Sequence, residues 1–236
     1  MKIFDLKTLH NLSNKMISFS TGSRKLDEVL NGGFKTYSIY EIYGEAGSGK
    51  TRLLHQLAYM FCYKTNRKAY YIDNDLTFRP QILEKFHMNF GGDLKEISNR
   101  IFITQPLNEN QFIESLEKLK DIDDSLLLID TLTTHLRALK ETEYEREIKE
   151  VLKKILKISM NNCCVVFSNQ VRFDEKSSDL ISPLGGRTVN EIINVKLKLV
   201  NEINRIRCEI ESYNEKHKKR LISTLFIQSQ KELQAN

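Results

Sequence analysis

Gly44-Glu45-Ala46-Gly47-Ser48-Gly49-Lys50-Thr51 follows the apolar stretch Tyr37 to Tyr43 and opens a helical pattern running from Lys50 to Tyr63. The eight residues fit G-x-x-x-x-G-K-[ST], the loop that cradles phosphates where a strand turns into a helix. Its glycines let backbone N–H groups point at phosphate oxygens, Lys50 can reach the β and γ phosphates, and the Thr51 hydroxyl can ligate Mg²⁺. The helix behind it aims its positive N-terminal end at the same anion. A strand before, a helix after and an intact Lys-Thr pair separate this stretch from a chance glycine-rich turn. The chain is therefore expected to bind a nucleotide.

On either side of the loop the pattern alternates between strands and helices. Ser23 is suited to cap a short helix through Leu30, with Leu26, Val29 and Leu30 on one face and Asn31-Gly32-Gly33 ending it. Ala69 to Asp73 reads as a strand, Pro80 as the first residue of a helix to about Met88, and Ile101 to Thr104 as a further strand. A helix from about Asn108 keeps Phe112, Ile113, Leu116 and Leu119 at helical spacing. Ser125 to Asp130 is an apolar run of the kind buried on both faces of a parallel sheet. Thr142 to Met160 carries Ile148, Val151, Leu152, Ile155 and Ile158 on one stripe of a long helix whose charges form a solvated face. Cys163 to Ser168 is another buried strand, and Asn169 to Ser182 reads as a long polar loop. Ile193 to Val200, Arg205 to Tyr213 and Leu221 to Gln228 then read as strands that extend the sheet in an antiparallel manner. The expected fold class is α/β, a mostly parallel, doubly wound sheet with C-terminal antiparallel strands and its active site at the carboxyl ends of the parallel strands.

A length of 236 residues suits one well-buried domain. Lys plus Arg number 36 against 31 Asp plus Glu, and this mild basic bias of +5 assigns no partner by itself. Cys62, Cys163, Cys164 and Cys208 form no C-x-x-C pair and read as small core residues, with the adjacent Cys163 and Cys164 facing opposite sides of a strand. Met1 to Ser20 lacks the apolar core of a signal peptide, and no segment approaches the ~18 apolar residues of a membrane span. A cytoplasmic protein with no membrane partner is expected.

Three further strand ends carry candidate chemistry. Asp130 closes an apolar strand 80 residues after Lys50, the placement of a Walker B carboxylate that holds the Mg²⁺ shell; capping the following turn is the alternative, and both roles can coexist. Asp73 and Asp75 end another strand, in position to orient an attacking water or approach the metal, with ordinary Asx-turn chemistry as the competitor. Asn169 and Gln170 end a third, where an amide can sense a γ-phosphate by one hydrogen bond and pass its presence to the next loop.

Ser20-Thr21-Gly22, Leu26-Asp27, Gly32-Gly33, the phosphate loop and Ile72-Asp73-Asn74-Asp75-Leu76-Thr77-Phe78-Arg79-Pro80 resemble in order the ATPase core of the RecA/RadA recombinases. Leu128-Ile129-Asp130-Thr131-Leu132-Thr133, Ser168-Asn169-Gln170-Val171 and Pro183-Leu184-Gly185-Gly186 continue the resemblance, which covers about Ile17 to Val200. It implies a RecA-like ATPase domain over 17–229, an N-terminal segment 1–16 and a flexible tail 230–236, with ATP and Mg²⁺ as cofactors. With few residues ahead of the core, the architecture is similar to RadB and other archaeal RadA paralogues, which act as recombination accessories. By motif, the resemblance implies that Gly44, Glu45, Ala46, Gly47, Ser48, Gly49, Lys50 and Thr51 hold phosphate, and that Thr51 and Asp130 hold the metal. It further implies that Gln170 senses the γ-phosphate and that Arg79 packs against adenine. Asp75 stands where the recombinases place the glutamate that polarises the attacking water. It is one methylene shorter, and a shortfall of about 1 Å can cost about 10²-fold in rate, so slow hydrolysis is expected. Arg187 stands where the main recombinases usually have histidine.

The resemblance also implies two loops facing DNA, here about Arg137 to Arg146 and Val171 to Ser182. Arg137, Lys140, Arg172 and Lys176 can neutralise phosphates and Phe173 can stack on an unpaired base, the usual grammar of single-strand binding, although Glu141, Glu143, Glu145, Asp174, Glu175 and Asp179 oppose it. Lys216-His217-Lys218-Lys219-Arg220 is expected to project as a basic tip between two strands, with Lys218, Lys219 and Arg220 as phosphate contacts, or simply to be a solvated hairpin. The expected partners are single-stranded DNA, a RadA-type recombinase or another paralogue, and further copies of the chain. A KaiC-like regulatory ATPase that switches protein partners with no DNA role is the alternative.

Overall fold

The computed structural model describes residues 16–137, 139–173, 181–183, 186–202, 205–214 and 219–228. In chain order the strands are β1 (Ser18–Phe19), β2 (Phe34–Lys35), β3 (Ser38–Tyr43), β4 (Ala69–Asp73), β5 (Ile101–Thr104), β6 (Leu126–Asp130), β7 (Cys164–Asn169), β8 (Val171–Phe173), β9 (Ile181–Pro183), β10 (Val195–Glu202), β11 (Arg205–Asn214) and β12 (Lys219–Gln228). The helices are α1 (Arg24–Val29), α2 (Lys50–Thr65), α3 (Gln81–Phe90), α4 (Leu94–Ser98), α5 (Glu109–Lys118), α6 (Glu141–Ser159) and α7 (Gly186–Asn190).

Eight strands form one sheet in the order β12-β11-β10-β3-β7-β6-β4-β5. The six from β10 to β5 are parallel, and β11 and β12 add antiparallel strands outside β10. The first of the three C-terminal strands, expected to run antiparallel, is thus parallel to β3, because the chain returns to the sheet through α7 and not by a hairpin. Helices on both faces account for the unbroken apolar runs of the interior strands, since every residue of such a strand meets a core. Leu126 and Leu128 of β6 pack with α2, α3 and α4, whereas Leu127 and Ile129 pack with α5 and α6. Cys164 and Cys163 divide between the same two cores, as expected from their adjacency in the chain. Burial pushes the thiols of Cys62, Cys163 and Cys208 up to about 12, consistent with their role as small core side chains.

Along β10 and β11 the buried apolar residues lie on one face. Leu197, Leu199, Cys208 and Ile210 join the α2 core, while the other face carries ion pairs such as Lys198–Glu209 at 3.6 Å and Arg207–Glu202 at 3.0 Å. This is the alternation that distinguishes the C-terminal strands in the sequence.

Local signals set the element ends. Ser23, Asp93 and Asn108 each accept a hydrogen bond from a backbone N–H in the first turn of their helices. Val29, expected on the buried face of α1, is 40% exposed, because a helix of six residues turns only Leu26 fully inward. Two expectations for loops are corrected. Val171 to Ser182 is not wholly irregular: β8 and β9 pair antiparallel, with Arg172 opposite Ser182. The stretch Arg137 to Arg146 is loop only to Lys140, so Arg146 lies on α6, where it pairs with Glu147 at 2.8 Å. Among the described residues no helix is long and apolar enough to cross a membrane.

Candidate nucleotide site

The phosphate loop joins β3 to α2 at the centre of the sheet. A Cβ at Gly44 (φ 156°) would lie 2.2 Å from the Leu199 carbonyl oxygen, and one at Gly49 (φ 95°) 2.9 Å from Ile206 Cδ1. Only glycine lets this turn lie against β10 and β11. Lys50 Nζ donates to the carbonyls of Gly44 and Glu45 at 2.8 and 2.7 Å, so the ammonium lies across the loop. Burial lowers its pKa, and the negative charges of Asp130 and Asp75 oppose that shift.

Asp130, at the end of β6, is fully buried and accepts hydrogen bonds from Tyr71 Oη at 3.0 Å and from Ser168 Oγ. Burial pushes its carboxyl up, hydrogen bonds from Ser168, Thr51 and Tyr71 pull it down, and the neighbouring Asp75 pushes it up again. One carboxylate thus touches the last residue of the phosphate motif. The donor set suits a nucleotide with Mg²⁺: an oxygen-rich pair, Thr51 and Asp130, lies beside the Lys50 ammonium. The buried Ser48 hydroxyl, in the loop itself, finds no partner among the described residues.

Asp73 and Asp75, adjacent in motif, part company in space. Asp73 is buried and takes hydrogen bonds from Thr77 N at 3.0 Å, Phe78 N at 2.9 Å and Gln105 Nε2 at 2.8 Å, so its role is the turn itself. Asp75 reaches the loop after β6, accepting from Thr131 Oγ1 at 2.6 Å and Thr134 Oγ1 at 2.5 Å. Asn169 is likewise internal, donating to Glu41 Oε1 at 2.9 Å and accepting from Thr133 Oγ1 at 3.1 Å. Gln170, one residue farther on, is held by Arg137 Nη1 through its Oε1 at 2.5 Å. Because Tyr43 pairs with Asn169, Gln170 emerges beside the start of the phosphate loop.

A family model described as Rad51 matches residues 12–225. The DNA repair and recombination protein RadA of Aeropyrum pernix is 31% identical over 218 residues, covering 83% of this chain and 67% of the relative. The chain belongs to the Rad51 family.

For this Rad51-family chain, several residues that hold the site together were given no role by the sequence. Tyr71, Ser168, Thr131 and Thr134 hold the two carboxylates, and Asn201 Nδ2 donates to the Gly47 carbonyl at 3.3 Å from the far end of β10. Thr131 and Thr134 follow the strand-end Asp130 closely, which was an available signal for those two; nothing local marks Tyr71, Ser168 or Asn201 as partners of the site. Arg79 turns its guanidinium back to the carbonyls of Leu76 and Phe78 at 3.2 and 2.9 Å.

Of the residues expected to face DNA, Lys140 is exposed at the N-terminal cap of α6, but Arg137 points to Gln170 and Thr134. Arg172 and Phe173 lie on β8, and Lys219 and Arg220 lie at the start of β12 opposite Asn214 and Tyr213. Lys176 and Lys218 fall outside the described residues.

Proposed function

We propose that the protein binds ATP with Mg²⁺ and serves DNA repair and recombination as a RadB-like accessory that binds single-stranded DNA and modulates a RadA-type recombinase, with weak, DNA-responsive ATPase activity. The observation that carries this reading is the meeting of Lys50, Thr51, Asp130 and Asp75 at the carboxyl ends of the parallel strands in a Rad51-family chain. Lys50 and the loop N–H groups would bind the β and γ phosphates, and Thr51 and Asp130 would hold the metal. Bound Mg²⁺ supplies charge neutralisation of the phosphate oxygens. Asp75 would orient the attacking water, and Gln170 would donate to the γ-phosphate. The resemblance to A. pernix RadA supports the recombination context, and family cores of this kind support self-association or pairing with a recombinase.

Steady-state ATP hydrolysis with and without single-stranded DNA, beside Lys50→Ala, tests the proposal. A slow rate that rises with DNA and vanishes in Lys50→Ala is the expected result. Asp75→Glu, which restores the missing methylene, should raise kcat by about tenfold or more, up to about 10²-fold. A rate indifferent to DNA would favour the KaiC-like switching role, a reading that gains from the engagement of Arg137 within the protein.

A further inference from the structure

The guanidinium of Arg137 joins two groups that the nucleotide reading assigns to separate tasks. Nη1 donates to Gln170 Oε1 at 2.5 Å, and Nη2 donates to Thr134 Oγ1 at 3.3 Å. The Thr134 hydroxyl in turn donates its proton to Asp75 Oδ1 at 2.5 Å. A hydroxyl has one proton to give and two lone pairs to receive, so the chain Arg137 to Thr134 to Asp75 runs in one consistent direction. Arginine can only donate, which obliges Gln170 to present its carbonyl oxygen to Arg137 and leaves the amide N–H groups as its free chemistry. Those N–H groups are what an anion requires. Gln170 leaves β7 directly after Asn169, the partner of Tyr43, and Tyr43 precedes Gly44 of the phosphate loop.

Resting on the proposed ATP-binding role, we infer that Arg137 is a positioning residue that orients the Gln170 amide toward the γ-phosphate and links it through Thr134 to Asp75. The DNA-contact role expected from its loop position is set aside. The segment supporting Arg137 is itself tied down: Thr131 binds Asp75, Thr133 binds Asn169, and the Leu132 N–H donates to the Ser168 carbonyl at 3.0 Å. A fork of two N–H-bearing nitrogens is needed to hold Gln170 and Thr134 together, and a lysine ammonium, though equally charged, lacks that planar fork.

The test measures affinities for ADP and for a non-hydrolysable ATP analogue, with Mg²⁺ and no DNA, in wild type, Arg137→Lys, Arg137→Ala, Gln170→Ala and the Arg137→Lys/Gln170→Ala pair. Arg137→Lys, Arg137→Ala and Gln170→Ala are each expected to lose about tenfold in preference for the triphosphate, the scale of one hydrogen bond to a charged group, with ADP affinity unchanged. The double variant should lose no more than either single one, because both act through one amide. Additive losses would overturn the inference. So would wild-type preference in Arg137→Lys, and if Arg137→Ala then weakened only single-stranded DNA binding with a shallower salt slope, Arg137 would be a phosphate contact. If wild type binds neither nucleotide, or Lys50→Ala binds both equally well, the ATP-binding proposal falls and this inference with it.

Discussion

His55 shows how one side chain on the phosphate-loop helix ties the site to stability. Its ring lies 5.3 Å from Tyr71 and 4.6 Å from Phe78, and it is 3% exposed. Burial lowers its pKa from 6.5 to about 4, with Asp73 pulling the other way. Above about pH 6.5 both folded and unfolded chains hold a neutral imidazole, so the residue adds no pH dependence. Between about 6.5 and about 4 the unfolded chain takes up a proton that the folded chain refuses, and stability falls as pH falls, by up to about 3 kcal/mol across the window. Urea titrations at about pH 7.5 and about pH 4.5 should therefore show a larger loss in wild type than in His55→Phe, which keeps the aromatic cluster and removes the proton site. Equal losses would show that His55 is protonated without cost. Tyr71 connects this cluster to the chemistry, since its hydroxyl donates to Asp130 while its ring meets His55 and Phe78.

At the scale of elements, the antiparallel extension is more than a lid on the sheet edge. β10 runs parallel to β3, and its Leu199 carbonyl lies where a Gly44 side chain would be, while Ile206 of β11 touches the Gly49 position. Gly44→Ala is expected to lower stability by about 2 kcal/mol or more, through the φ of 156° and the contact of 2.2 Å with a backbone oxygen that cannot rotate away. A lowered denaturant midpoint is the readout, and an unchanged one would mean that β10 yields freely. The loop between β6 and α6 works as a second connector, for its threonines reach both Asp75 and Asn169. Its expected role as a DNA-facing loop came from the resemblance and from its cations, and a sequence cannot tell a cation aimed outward from one aimed at a neighbouring amide.

At the scale of the molecule, ligand linkage offers a direct check. Mg-ATP at about a hundredfold excess over its Kd should add about 2.7 kcal/mol of stability. For a chain of this size that corresponds to a rise of about 5–10 °C in Tm. Lys50→Ala should show no such rise, and a wild-type Tm indifferent to Mg-ATP would contradict the site. Much of this architecture was legible in the chain: the phosphate loop, the strand ending in Asp130, the stripe of α6 and the late alternating strands follow from periodicity and glycine placement, which are local properties. The apolar runs also announced a sheet buried on both faces, as Leu126 to Ile129 divide between two cores. What only the tertiary structure decided was which polar group meets which: Asp73 serving its turn while Asp75 reaches two threonines, Arg137 holding Gln170, and Asn201 reaching Gly47 across 154 residues of chain. Periodicity reports which face of an element is buried. Hydrogen-bond partners depend on strand order and on the direction in which a loop folds back, and neither is written in local spacing.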